Sequence, residues 1–115
     1  MSSPQKESDR QKAKQAHALL SRYERLYREN QTRRITFNRY AAKWGMMDVI
    51  DSVGVERAAE LLDYFFTTKG EDKSIEYFYR NFDKMDTNER LQRADRERRA
   101  ELRRQTEQRI KESGN

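Results

Sequence analysis

The stretch "RYAAKWGMMDVIDSVG", residues 39–54, decides how the middle of this chain is read. It sets the only tryptophan beside a glycine, runs on through Met46, Val49 and Ile50, and ends at a second glycine. A glycine after an apolar periodic run commonly closes a helix in a left-handed turn. On that basis residues 36–44 and 46–53 are two short helices meeting at a corner, with Thr36 capping the first. Trp44 then anchors the core beneath the corner, and Gly54 stops the second helix.

The same corner invites a helix-turn-helix reading. With Phe37 as the first position, Ala41 and Gly45 fall on the small residue and the turn, but later core positions land on Asp51 and Gly54. The would-be recognition helix, "MDVIDSV", carries two Asp and no Lys, Arg, Asn or Gln. Phosphate would repel it, and it lacks the side chains that read guanine or adenine. This segment is not expected to read DNA.

Outward from the corner, Leu19, Tyr23, Leu26 and Tyr27 recur at i, i+4, i+7 and i+8, predicting a first helix from about Asp9 to Asn30. "VERAAELLDYFFTT" predicts a helix with Val55, Ala58, Leu61, Leu62 and Phe65 on one face. After the turn "KGED", Ser74 is placed to cap a further helix carrying Ile75, Phe78 and Phe82. No stretch alternates at period two. The fold expected is all-α: about five helices over residues 10–85, behind a disordered N-terminus at 1–9.

Residues 86–115 change character. They hold three large apolar side chains, Leu91, Leu102 and Ile110, whereas 26 lie between Leu19 and Met85. Opposite charges recur four apart, as Glu89–Arg93, Arg93–Glu97, Asp95–Arg99, Arg103–Glu107 and Glu107–Lys111, which favours helix without an apolar stripe. A separate long, charged, solvent-exposed C-terminal helix follows, with Thr87 as a partial cap.

Of the net charge of +5, residues 1–34 carry +5, 35–85 carry −2 and 86–115 carry +2. The basicity thus lies outside the central block. Arg22, Arg25, Arg28, Arg33, Arg34, Arg39 and Lys43 cluster in sequence and form a candidate phosphate-binding ridge. Two aromatic runs, Tyr64–Phe66 and Tyr77–Tyr79, cannot be buried whole on one helix face. Tyr64, Phe66, Tyr77 and Tyr79 are therefore candidate partner-binding residues.

With no Cys and one His, the chain has no material for thiol catalysis or an ordinary zinc site. Phosphate-binding glycine motifs are absent too. Asp48, Asp51 and Asp63 read as solvated helix charge and not as a magnesium site. No catalytic residue, cofactor or metal is assigned. No run is long and apolar enough for a membrane span, and the absence of Cys fits a reducing compartment. A cytoplasmic protein is expected, in the host cytoplasm if the chain is viral.

The block "YERLYREN…FNRYAAKWGMMDVIDSVGVERAAELLDYFF…FYRNFDKM" resembles small helical proteins of bacteriophages, and in flavour the C-terminal domains of DnaD-type replication initiation and helicase-loading proteins. That resemblance implies a compact helical module with a tail, contacting DNA and a replicative helicase; it assigns no residue a role. The expectation is a phage-encoded, non-enzymatic accessory protein that binds nucleic acid, or a replication or transcription protein such as a helicase or polymerase. The alternatives are an adaptor or inhibitor docking on a host protein through exposed aromatics, and a homo-oligomeric scaffolding subunit.

Overall fold

A computed structural model describes residues 4–32, 34–70 and 72–114. Among them are four helices and no strand: α1 Pro4–Gln31, α2 Arg39–Val53, α3 Val55–Phe65 and α4 Ile75–Ser113. The all-α class stands, but two expected breaks are missing. Helix α2 continues through Gly45, and α4 continues through Thr87, so neither residue ends or caps a helix. Nothing between Ser74 and Gly114 is a Gly or Pro, so nothing in that stretch removes a helical hydrogen bond. At the other end α1 begins at Pro4, inside the segment expected to be disordered. Proline is well suited to the first helical position, where its missing N–H costs nothing, and each added residue extends a helix already nucleated.

Contacts divide the chain into Met1–Met85 and Asp86–Asn115. In the first unit every helix contributes one buried stripe. Helix α1 supplies Ala16, Leu19, Leu20, Tyr23 and Tyr27; α2 supplies Ala42, Met46, Val49 and Ile50; α3 supplies Ala58, Leu61, Leu62 and Phe65. The first turns of α4 add Ile75, Phe78 and Met85. Tyr23 lies at the centre, its ring 5.7 Å from those of Phe37 and Phe66 and 5.9 Å from that of Tyr27. Its hydroxyl donates to the Lys73 carbonyl at 2.7 Å, so burial of this phenol strands no polar atom.

The real boundaries are chemical. Asn38, not Thr36, caps α2, its side chain accepting from the Ala41 N–H at 3.2 Å. Gly54 stops α2 as expected and also opens α3, at φ +86° and ψ 159°, a region open essentially to glycine alone. Ser74 caps α4 as expected, its hydroxyl accepting from the Tyr77 N–H at 3.2 Å. The hydroxyl and N–H of Ser74 in turn hold the Asp72 carboxyl below its usual range.

Gly45 has a different task from the one expected. A Cβ built on it would lie 2.3 Å from Cε2 and 2.5 Å from Cδ2 of Tyr79. The Tyr79 hydroxyl donates to the Ala42 carbonyl at 2.5 Å. The glycine is a flat spot on which a ring from α4 lies against the backbone of α2.

Between α3 and α4, Lys73 is buried, 5% exposed. Its ammonium donates to the carbonyls of Phe65 (2.7 Å) and Thr68 (2.9 Å) and to the Thr68 hydroxyl (3.1 Å). Cationic donors suit the carbonyl-rich end of a helix. Desolvation lowers the lysine's pKa.

In the second unit, side chains from Arg90 to Gly114 are exposed or, at Asp95 and Ala100, partly so. Of the five pairs expected, Glu89–Arg93 (2.5 Å) and Asp95–Arg99 (3.1 Å) form. Asp95–Arg98 and Glu101–Arg104 add i, i+3 pairs. Each contributes a few tenths of a kcal/mol at most. No helix among the described residues is long and apolar enough to cross a membrane.

Candidate interaction surface

Of the six described cations in the expected ridge, Arg22 and Arg39 are drawn into ion pairs. Arg22 makes a two-pronged contact with Asp63, Nε to Oδ1 at 2.8 Å and Nη2 to Oδ2 at 2.5 Å, tying α1 to α3. This hydrogen-bonded carboxylate raises the guanidinium's pKa further and takes Asp63 away from Asp48 and Asp51. Arg39, first residue of α2, pairs with Glu24 and donates to the His17 carbonyl (3.1 Å) and Ser21 hydroxyl (3.2 Å) of α1. Lys43 lies over two aromatic rings. Arg33 lies outside the described residues. Arg25, Arg28 and Arg34 are exposed; Arg28 and Arg34 border one shallow recess with Glu24 and Ile35.

The expected aromatic patch is not where the rings are free. Helix α3 ends at Phe65, so the chain turns and Phe66 swings inward, 5.7 Å from Tyr23 and 6.4 Å from Tyr27. Both Phe65 and Phe66 are buried. Tyr64 is half-buried against the core, and Tyr79 is half-buried on Gly45. Tyr77 keeps an exposed edge but stacks on Phe65 at 6.0 Å and 8°. A core that approaches from two sides accommodates runs that one face cannot.

The free rings are Trp44 and Tyr40, 53% and 70% exposed. This corrects the expectation that Trp44 anchors the core, and the continuous helix explains it. The buried stripe of α2 includes Ala42 and Met46; at 100° per residue, two positions away is the opposite face. Tyr40 and Trp44 both stand there, one turn apart. Their rings meet edge to face at 6.5 Å and 87°. The Lys43 ammonium lies 5.0 Å from the Tyr40 centroid and 4.7 Å from that of Trp44.

Beside Trp44 a cleft of about 400 Å³ runs between α1 and α2, floored by Ala13 and Met47. Its rim carries Arg10, Lys12 and Lys43 together with Asp9, Asp48 and Asp51. Lys12 bridges to Asp51 at 2.5 Å, and this bond raises the lysine's pKa. The rim is thus balanced in charge, with an apolar floor and an aromatic edge. That arrangement binds by contact area and matched polarity and offers no positive funnel. Among the described residues no group of three His, Cys, Asp or Glu side chains could hold a metal ion. The chain matches no protein-family model, no curated protein and no solved structure.

Proposed function

We propose that this chain is an accessory binding protein that docks a protein partner on the α2 face bearing Tyr40 and Trp44. One observation carries the reading: the only tryptophan stands half in solvent beside an exposed tyrosine, while most other aromatic rings are turned toward the core. Exposed Trp and Tyr over an apolar floor with a polar rim is the composition of interface hot spots. The balanced rim favours a protein over a polyanion at this face. A protein component of a nucleic-acid machine is the partner class that the sequence resemblance implies. Affinity capture after nuclease treatment tests the proposal. Recovery of one partner by the native chain, lost with Trp44→Ala while the circular dichroism spectrum is unchanged, supports it; recovery unaffected by Trp44→Ala and Tyr40→Ala together refutes it.

A second reading, direct nucleic-acid contact, draws on Arg25, Arg28 and Arg34, whose guanidiniums make no ion pair among the described residues. Such contacts depend steeply on salt and tolerate sequence. An anisotropy titration at low salt, comparing the native chain with the triple Arg→Glu variant at these positions, decides it. Equal binding by the two removes this reading.

A further inference from the structure

We infer that the Tyr40–Trp44 corner is a receptor for a cationic side chain, an arginine presented by the partner's docking segment, and that Lys43 fills it in the free protein. The inference rests on the docking reading above and names the chemistry of what docks. Two rings at 87° make a notch with two negative faces, and an ammonium already lies within 5.0 Å of both centroids. Aromatic faces attract cations electrostatically, most strongly at Trp and more often with Arg than Lys. Lys43 is a stand-in on a flexible stem, and a planar guanidinium stacks better than the ammonium it displaces.

The carboxylates extend the match. Asp48 follows Trp44 by one turn on the same face of α2, is exposed, and makes no ion pair among the described residues. Asp51, nearly one turn further, is held by Lys12. Along α2 the order is therefore aromatic, aromatic, free carboxylate. A helical segment with two arginines four residues apart would set one guanidinium on Trp44 and the other at Asp48. A base stacking on the same rings would gain no such pairing at Asp48.

The test follows the Trp44 indole N–H in 1H–15N spectra of the full chain. The probes, each added to millimolar concentration, are a helical peptide with arginines four apart, its glutamine counterpart, its glutamate counterpart, and oligo-dT. The arginine peptide should shift the indole resonance and the glutamine peptide should bind several-fold more weakly. Lys43→Ala, by emptying the notch, should tighten the arginine peptide about 2- to 5-fold, and Asp48→Asn should weaken it. Arginine-peptide affinity unchanged or reduced in Lys43→Ala overturns the inference. So does preferential binding of the glutamate peptide or of oligo-dT, or no response to any probe. If the captured partner still depends on Trp44 in those cases, the docking surface stands and only the cation assignment falls. Loss of the Trp44 dependence itself would remove the docking surface.

Discussion

Gly45→Ala separates the structural account of the α2 glycine from the helix-capping account. Alanine in a helix interior is favoured over glycine by about 1 kcal/mol, so an unhindered site would gain stability. Here the new methyl would fall 2.3–2.9 Å from three carbons of the Tyr79 ring, where ordinary carbon contacts are about 3.5–4.0 Å. The ring must retreat by about 1 Å, which stretches its hydroxyl off the Ala42 carbonyl, now at 2.5 Å. Overpacking costs about 1–3 kcal/mol and the lost hydrogen bond about 1 kcal/mol. After the helix-propensity gain, the net expectation is a loss of about 1–3 kcal/mol in urea unfolding followed by circular dichroism. In a Tyr79→Ala background the obstruction is gone, and the same substitution should become stabilising by up to about 1 kcal/mol. The sign reversal is the decisive measurement. Equal effects in the two backgrounds, or a stabilised single variant, would refute the close packing of Tyr79 on α2.

Gly54→Ala meets no atom within 4 Å, so its cost is backbone strain alone, about 1–3 kcal/mol; an unchanged unfolding midpoint would contradict the positive φ. Lys73→Met should lose about 1–3 kcal/mol, since the Thr68 carbonyl and hydroxyl lose a charged donor while the Phe65 carbonyl keeps the Thr68 hydroxyl at 2.7 Å. A neutral result by thermal denaturation would mean that the ammonium is not the clasp of this loop. Burial raises the pKa of Tyr23 and Tyr79 well above the ordinary phenol value of 10.0. The unfolded chain therefore releases these protons first, and stability falls as pH rises above about 10, by about 1.4 kcal/mol per pH unit for each ring. Lys73, with its pKa lowered from 10.5, acts in the opposite sense below that pH, so the slope is to be read above 10.5. Lys12, whose pKa Asp51 raises from 10.5, adds to the fall there, so Tyr79→Phe should flatten the slope by less than half.

The sequence made the helices legible wherever burial and periodicity agree. The Leu19–Tyr23–Tyr27 stripe, the Ala58–Leu61–Leu62–Phe65 face and the Ser74 cap all lie where their spacing puts them. It misled where one residue type serves two ends. Glycine closes helices at C′ and also admits close neighbours, and only the distant Tyr79, 34 positions along the chain, distinguishes the two at Gly45. One wrong break rotated the expected face and placed Trp44 inside. Reading α2 as one helix puts Ala42, Met46, Val49 and Ile50 at i, i+4, i+7 and i+8, and that signal was present in the letters. Arg22 and Arg39 show a second limit, because their partners Asp63 and Glu24 are identifiable only after the helices have packed.

Arg22 and Arg39 therefore exchange roles with the tryptophan relative to the sequence reading. Half-exposed guanidinium–carboxylate pairs contribute modestly to stability, about 0–1 kcal/mol each. Arg22 to Asp63 and Arg39 to Glu24 are such ties, and they agree with the burial of Ala42, Met46, Val49 and Ile50, which turns the Tyr40–Trp44 face away from the core. Burying Trp44 instead would require turning α2 by about half a revolution, which breaks the Arg39 ties to His17, Ser21 and Glu24 and lifts Gly45 off Tyr79. Fluorescence of the only tryptophan reports this directly. Native emission should be red-shifted and readily quenched by iodide or acrylamide, and partner binding should shift it to the blue. A native spectrum already blue and protected would place the indole inside, and the docking surface would fall with it.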